Sequence, residues 1–166
     1  MTRYKDFPAP LAAIGTIRIT SDGKALTGCD FLDPGAPPPS GGDWQRADDD
    51  PILRACQRIL ETYFAGGPLA PALPLAPRGT DFQRQVWSAL LEIPLGQTRS
   101  YGDIARRIGR PSAVRAVAGA IGRNPIGILI PCHRVIGSDG SLTGYAGGLH
   151  RKQALLALEA GTPPLR

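Results

Sequence analysis

A cysteine, a histidine and an arginine stand side by side at Cys132, His133 and Arg134, within the run PCHRV. A thiolate is a strong nucleophile, but a thiol with its ordinary pKa of about 8.5 is mostly protonated at neutral pH. A neighbouring histidine base or cation raises the thiolate fraction, so this run predicts a nucleophilic cysteine. Adjacent side chains on an extended chain point in opposite directions, so a turn or a bridging water is needed. A buried structural cysteine beside a surface histidine is the alternative interpretation.

The composition excludes several other classes of protein. The chain has 166 residues, enough for a real core without disulfides. Its three widely spaced cysteines and two histidines show neither CxxC nor HxxxH spacing, so we expect no metal and no cofactor. The first ten residues show no apolar h-region, so we expect no secretory signal, and no apolar run approaches the roughly 18 residues of a membrane span. A reducing, cytoplasmic location is therefore expected.

Charge is distributed unevenly along the chain, whose net charge is +5. Residues 79–166 contain 11 Lys/Arg and 5 Asp/Glu, whereas residues 1–78 contain 8 and 9. A basic half suggests a polyanionic partner, nucleic acid first, although such an excess is more often only a solvated basic surface.

The first half predicts a small α/β unit. Alternating apolar residues indicate a strand over 15–20, followed by an Asp-Gly turn and a return strand over 25–31. Asp50 and Pro51 have the residue types of an N-cap and a first helical position, ahead of an amphipathic helix. The Pro- and Leu-rich stretch 69–78 is predicted to be extended, and we place the domain boundary near residue 78.

The second half predicts a mainly helical domain. Thr80 is the expected N-cap of its first helix, and Ser100 with Asp103 forms a capping-box pattern at the second. Ser112 is expected to cap a third helix after a short Gly-containing turn. Two short helices joined in this way, with Arg115 near the start of the second, indicate a helix-turn-helix. An ordinary helical corner explains the same pattern equally well.

The cysteine run follows an apolar stretch, residues 126–130 (IGILI), which predicts a short buried strand. A Gly-rich loop over 138–148 comes after it. A last helix is expected over 150–160, with Gly161 as its stop.

An ordered set of motifs surrounds the cysteine and covers about residues 79–160. Besides PCHRV, the set comprises GTDFQ at 79–83, SY at 100–101, RAV at 115–117, NP at 124–125 and GYAGG at 144–148. The set resembles O6-alkylguanine-DNA alkyltransferases, also called methylated-DNA–protein-cysteine methyltransferases. The resemblance implies an α/β, ribonuclease H-like N-terminal domain (1–78). It also implies a mainly α C-terminal domain (79–166) that holds the helix-turn-helix and the active site.

The resemblance implies DNA repair by direct reversal of damage. The alkyl group of O6-alkylguanine, with O4-alkylthymine as a further candidate, passes irreversibly to Cys132 after the nucleotide is flipped out of the duplex. His133 is then the base, acting through a water, and Glu159 orients His133. Asn124 braces the turn before the cysteine, and Tyr101 contacts the flipped nucleotide.

The resemblance also implies a DNA-binding surface and a base pocket. Arg115 takes the vacated place in the duplex, and the small Ala116 lets its helix approach the minor groove. The further predicted DNA contacts are Ser112, Arg110 and Arg123. The predicted pocket residues are Tyr145, Gly147, Val135 and Lys152. The expected partner is double-stranded DNA containing O6-alkylguanine, with no membrane, and the protein is expected to be a monomer. Cooperative binding on DNA stays open.

Two departures from the family pattern leave the accepted alkyl size open: Ala118 stands where glycine is frequent, and Gly127 where mammalian-type sequences have proline. Three other functions compete with alkyl transfer. An alkyltransferase-like protein would recognise the lesion without transfer, but such relatives lack the cysteine. A helix-turn-helix regulator leaves PCHRV unexplained, and a cysteine hydrolase would need turnover and an oxyanion hole.

Overall fold

The computed structural model describes residues 1–69 and 73–161. The chain divides into two compact units, Met1–Pro77 and Arg78–Arg166, next to the boundary expected from the sequence. Of the stretch predicted to be extended, residues 70–72 lie outside the described residues. Leu75, farther along it, makes an isolated parallel bridge with Leu26. No helix within the described ranges is long and apolar enough to cross a membrane.

The N-terminal unit contains a four-stranded sheet. Its strands are β1 (Thr2–Pro8), β2 (Thr16–Ser21), β3 (Leu26–Leu32) and β4 (Trp44–Arg46), in the order β3-β2-β1-β4. The β1–β2 and β2–β3 pairs are antiparallel, and β1–β4 is parallel. The hairpin predicted from the Asp-Gly turn is confirmed, and Gly23 has a φ of +93°, which glycine adopts easily. The sequence did not predict β1 and β4, whose residues are largely polar.

One helix, α1 (Pro51–Phe64), packs against β2 and β3. Its predicted start is confirmed, because the Asp50 carboxylate accepts hydrogen bonds from the backbone N–H groups of Ile52 and Leu53. The buried face of the helix and the inner face of the sheet form the core of this unit. Its fully buried side chains include Ile17, Ile19, Leu26, Leu53, Cys56 and Leu60.

The C-terminal unit is mainly helical. It contains α2 (Asp81–Leu90), α3 (Tyr101–Arg107), α4 (Val114–Gly122) and α5 (Leu149–Glu159), with a two-stranded parallel sheet of β5 (Arg99–Ser100) and β6 (Val135–Ile136). Capping boxes begin α2 at Thr80 and α3 at Ser100, as predicted. The short helices α3 and α4 lie next to each other across a short turn, as a helix-turn-helix requires. Buried Trp87 of α2 donates its indole N–H to the carbonyl of Ala120 at 2.8 Å, which fixes α4 against α2.

Two local predictions are wrong in this unit. Ser112 is not the N-cap of α4: the helix begins two residues later, with Ala113 at the cap position and no side-chain cap. Residues 126–130 form a buried turn and not a strand, closed by a hydrogen bond from Ile130 N to Ile126 O at 3.1 Å. A run of branched apolar residues indicates burial, but it does not distinguish a strand from a turn.

Candidate active site

Cys132 begins a single buried 3₁₀ turn, Cys132–Arg134, directly after the apolar turn. This turn removes the geometric objection that adjacent Cys and His side chains point in opposite directions, since that holds only for extended chain. The preceding backbone is constrained: Ile128 has a φ of +67°, a region that β-branched residues rarely adopt. Strain of this kind persists only where surrounding contacts fix the backbone, and it is frequent near functional groups.

Asn124 supplies those contacts. Its side-chain NH₂ donates to the carbonyls of Ile130 at 2.9 Å and Ile126 at 3.2 Å, and its oxygen accepts from Ile126 N at 3.0 Å. One side chain thus satisfies three backbone groups of the turn that ends at the cysteine. The placement agrees with a bracing role for Asn124.

His133 is fully buried. Its Nε2 lies 2.5 Å from Oε2 of Glu159, which is the last residue of α5. A carboxylate only accepts hydrogen bonds, so the ring carries its proton on Nε2 and the lone pair on Nδ1. Within the described residues, His133 Nδ1 is buried and has no hydrogen-bond partner. Burial lowers the pKa of His133, which keeps the ring neutral and able to accept a proton at Nδ1.

Arg134 is a part of the site that the sequence analysis did not include among its site residues. Its side chain is buried, donates to Glu159 from Nε at 2.6 Å and from Nη2 at 3.2 Å, and donates from Nη1 to the carbonyl of Ile93 at 2.7 Å. The guanidinium compensates the buried charge of Glu159, whose side chain is only 1% exposed. The sequence signal was present, since Arg134 follows His133 directly, but its partner lies 25 residues away.

Cys132 as a residue is 9% exposed. Burial raises the pKa of the Cys132 thiol. Hydrogen bonds with Asn124 and Tyr145 and the positive charge of Lys152 oppose this shift. Lys152 is itself fully buried, and its ammonium donates to the carbonyl of Thr143 at 2.8 Å. Burial lowers the pKa of Lys152, and the nearby Cys132 opposes that shift. Because the net direction for the thiol is upward, Cys132 needs a base to become a thiolate at neutral pH.

A cavity of about 480 Å³ lies between α3, the end of α4 and the loop before α5, and we call it the tyrosine cavity. Its lining residues are Tyr101, Ala118, Ile121, Gly122, Thr143, Gly144, Tyr145 and Ala146. The Thr143 hydroxyl donates to the Tyr101 hydroxyl at 3.3 Å, which ties the loop to α3. Tyr145 belongs both to this cavity and to the surroundings of the Cys132 thiol. Tyr145 therefore places the cavity next to the surroundings of Cys132.

The structure places the remaining predicted pocket residues differently. Val135 is fully buried in β6, where it pairs with Arg99 of β5. Gly147 is half-buried, and its carbonyl accepts from Arg151 at 3.1 Å. Both residues make backbone contacts near the site, and neither lines the tyrosine cavity.

The residues predicted to contact DNA all lie on the exposed side of the helix-turn-helix. Arg115 and Ala116 are exposed in the first turn of α4, and Ser112 is exposed in the turn before it. Arg123 follows the end of α4 and is exposed as well. Arg110 lies over the Phe82 ring at 5.5 Å from its centroid, a cation–π contact that orients its side chain. The face is basic and carries small residues, as a surface for a polyanion requires.

Two short packed helices joined by a tight turn, together with a buried cysteine next to a histidine–glutamate pair, suit a class of DNA-binding proteins that carry a reactive thiol. A family model described as 6-O-methylguanine DNA methyltransferase, DNA binding domain, matches residues 81–161. The methylated-DNA–protein-cysteine methyltransferase of Methanosarcina barkeri is 51% identical over 146 residues, 88% of this chain and 91% of that protein. The corresponding protein of Haemophilus influenzae is 44% identical over 158 residues, 94% of this chain and 85% of the relative.

Solved structures agree with these relatives. A crystal structure of Mycobacterium tuberculosis OGT in complex with DNA has a TM-score of 0.86 and 44% identity, covering 97% of this chain and 95% of the other. An O6-methylguanine DNA methyltransferase from Methanococcus jannaschii has a TM-score of 0.63 and 27% identity, covering 87% and 88%. The chain belongs to the O6-methylguanine-DNA methyltransferase family. Its α/β two-unit fold is that of the alkyltransferases.

Proposed function

We propose that Cys132 is the cysteine to which this protein transfers the alkyl group. The chain repairs DNA by alkyl transfer to one of its own cysteines, the activity of its family. The observation that carries the assignment is the buried contact between His133 Nε2 and Glu159, which leaves a basic Nδ1 on the residue next to Cys132. Cys29 and Cys56 are buried in the other unit, among apolar core residues.

The proposed reaction is a single displacement at the alkyl carbon. His133 takes the thiol proton of Cys132 at Nδ1 through a water, and Glu159 with Arg134 stabilises the imidazolium that forms. The sulfur then attacks, so that a C–S bond forms and the C–O6 bond of the alkylguanine breaks. The electron pair of the broken bond stays on the guanine, which takes up a proton. The thioether has no route back to the thiol, so each molecule reacts once.

The tyrosine cavity is the proposed site of the flipped base. Tyr101 is half-buried at the first position of α3, where its hydroxyl can donate to the ring as the guanine gains charge. Tyr145 supplies an aromatic wall, and stacking of a base on such a ring contributes about 1–3 kcal/mol. Gly147 and Val135 shape the backbone around the cavity. Lys152 holds the loop through Thr143 and places a positive charge near the thiol.

We propose that α4 enters the minor groove of duplex DNA with its first turn. Arg115 would fill the space left by the extruded nucleotide, whose extrusion costs a few kcal/mol. Ala116 allows close approach of the helix, while Ser112, Arg110 and Arg123 contact phosphates. The exposure of all five side chains supports this arrangement. DNA lesions arise in any base sequence. Phosphate contacts suit such a target because they do not depend on the base sequence.

The finer organisation also belongs to the proposal. Residues 1–78 are assigned as the ribonuclease H-like domain, and residues 79–166 as the DNA-binding and active-site domain. The four-stranded sheet with one helix supports the first assignment. The protein acts as a monomer, because its single displacement needs one thiol and one histidine. The three free cysteines support a reducing, cytoplasmic location.

The test of the assigned cysteine is the intact mass of the protein after mixing with duplex DNA that contains one O6-methylguanine. We expect a gain of about 14 Da on Cys132, at most one per molecule, since the thiol is consumed. Tight lesion-selective binding without a mass gain would leave a recognition protein. A methyl group on Cys29 or Cys56 would refute the assignment.

The proposed role of Arg115 has a separate test. Arg115→Ala should slow transfer from duplex DNA far more than transfer from free O6-methylguanine base, because only the duplex has a gap to fill. Arg84→Ala is the matched control, since Arg84 is an exposed arginine on α2 that pairs with Asp81. Equal slowing with both substrates would refute the role of Arg115 as a filler of the gap.

A further inference from the structure

Thr143, in the loop before α5, is held at two points. Its backbone carbonyl accepts a hydrogen bond from the ammonium of Lys152, a fully buried residue of α5, at 2.8 Å. Its hydroxyl donates to the hydroxyl of Tyr101, the first residue of α3, at 3.3 Å. A buried ammonium is costly without an acceptor, so the carbonyl contact is strongly favoured. This contact holds the loop independently of the side chain at position 143.

The contact of the Thr143 side chain decides how the Tyr101 hydroxyl is used. A phenol carries one O–H donor and also accepts through its oxygen. Because Tyr101 accepts the Thr143 proton, its own O–H serves as a donor, and both residues line the tyrosine cavity. Hydrogen bonds in a chain polarise one another, so the first bond strengthens the second. A threonine hydroxyl behind the phenol therefore makes that phenol a better donor to a group in the cavity.

We propose that Thr143 is a positioning residue, which orients the Tyr101 hydroxyl so that its proton faces the flipped guanine during alkyl transfer. The guanine gains charge as the C–O6 bond breaks and the C–S bond forms, and the polarised phenol donates to it more strongly. The bond of 3.3 Å is long for two hydroxyls, but such bonds often tighten only when the substrate binds. Thr143 acts through Tyr101 and touches no reacting atom. The inference rests on the proposed function of Cys132 and Tyr101.

The test is a double-mutant cycle on the single-turnover rate of methyl transfer, measured with saturating duplex DNA that contains O6-methylguanine. Thr143→Val keeps the branched shape and the backbone carbonyl but removes the hydroxyl. It should slow transfer about two- to tenfold, the range that the net contribution of one hydrogen bond implies. In a Tyr101→Phe background the same substitution should have no further effect, because no phenol remains to be oriented.

Two further variants complete the test. Thr143→Ser keeps the hydroxyl and should restore most of the rate that Thr143→Val loses. Ser141→Ala is the matched control, because Ser141 is an exposed residue of the same loop whose hydroxyl donates to Asp139. Ser141 does not line the tyrosine cavity, so this variant should transfer methyl at the wild-type rate.

The outcomes separate the inference from the proposed function. No methyl uptake by the wild-type protein refutes the proposed function of Cys132, and a wild-type rate in Tyr101→Phe refutes the role of Tyr101 together with the inference. A slowed Tyr101→Phe beside a wild-type rate in Thr143→Val refutes the inference alone. Slowing by Thr143→Val that is equal with and without the Tyr101 hydroxyl also refutes it, because Thr143 would then act through the loop. Equal slowing in Thr143→Ser and Thr143→Val has the same meaning.

Discussion

Cys56 in the N-terminal unit and Cys132 in the C-terminal unit are both buried, but their surroundings differ. Cys56 lies on the inner face of α1, and burial alone raises its pKa to about 12. Burial also raises the pKa of Cys132, yet Asn124 and Lys152 oppose that shift. Burial by itself is typical of an inert thiol, and the polar groups that oppose the pKa shift distinguish Cys132 from Cys56.

The two units also differ in the partners of their buried charged groups. In the N-terminal unit, the buried carboxylate of Asp50 caps α1 and pairs with the partly exposed Arg3. In the C-terminal unit, His133, Glu159 and Arg134 form a chain of buried charged or polar groups behind the cysteine. Such a chain is expensive to bury unless every member is satisfied. The exception among these groups is Nδ1 of His133, the atom that we propose accepts the thiol proton.

The largest expected effect is on transfer itself. Cys132→Ala should show no methyl uptake from O6-methylguanine DNA by intact mass, because it removes the thiol that we propose accepts the methyl group. Cys56→Ala is the matched control and should keep full uptake, at one methyl per molecule. Methyl uptake by Cys132→Ala, or loss of uptake in Cys56→Ala, would contradict the assignment of Cys132 as the reactive thiol and Cys56 as a structural one.

The next effect concerns the base. His133→Asn should slow transfer at pH 7 by about 10²–10⁴-fold, the usual contribution of a positioned base. Because burial lowers the pKa of His133, the wild-type rate should stay level through pH 6.5 and fall only at lower pH. The variant should instead speed up as pH rises toward the raised pKa of Cys132. Single-turnover rates against pH distinguish the two profiles.

Exposed His150 is the control for that experiment, since it is the other histidine of the chain. His150→Asn should retain the wild-type profile. The free energy of unfolding should change with pH in the same direction as the rate. The unfolded chain protonates first as pH falls through about 6.5, so the fold loses stability on the acid side. A His133→Asn variant with the wild-type rate and profile at neutral pH would contradict the role of His133 as base.

Removal of Arg134 should affect stability most. Arg134→Met leaves Glu159 as a buried charge that lacks its arginine, which destabilises by about 3–5 kcal/mol. Trp44 and Trp87 lie in different units, so urea unfolding followed by Trp87 fluorescence in a Trp44→Phe background reports on the C-terminal unit.

The matched control for Arg134 is Arg107→Met. Arg107 pairs with Glu92 at 2.6 Å, but both side chains are more than half exposed. Exposed pairs contribute little, so this variant should unfold like the wild type. Equal destabilisation by the two substitutions would mean that burial does not decide how much an arginine–glutamate ion pair contributes to stability.

The sequence predicted best what is local. Asp50, Thr80 and Ser100 cap helices as expected, because a cap requires only a side chain and the next three residues. Ser112 was the exception, and the helix after it begins without a side-chain cap. Strands β1 and β4 were missed because their polar residues give no clear alternation, and pairing with β2 and with each other decides their conformation.

The site was predictable only in part. The pairing of His133 with Glu159 came from family resemblance, since nothing local connects residues 26 positions apart. Arg134 was missed for the same reason, although its type and position were in view. The strand predicted over 126–130 is a turn, because an apolar run indicates burial without distinguishing the two, even though Asn124 lies only two and six residues from the carbonyls that it binds. Long-range polar pairing is therefore the part that pattern and propensity do not reach.

The smallest expected effect tests the N-terminal unit. Asp50→Ala removes two hydrogen bonds to the first turn of α1 and the contact with Arg3 Nη1 at 2.9 Å. Loss of an N-cap costs about 0.5–2 kcal/mol, and Asp50→Asn should cost less because the amide oxygen still accepts from the backbone. Unfolding followed by Trp44 fluorescence in a Trp87→Phe background measures the difference. Neither variant should change the extent of methyl uptake by folded protein, because the charges that serve the reaction lie in the other unit. Loss of uptake in Asp50→Asn would instead assign the N-terminal unit a part in the chemistry.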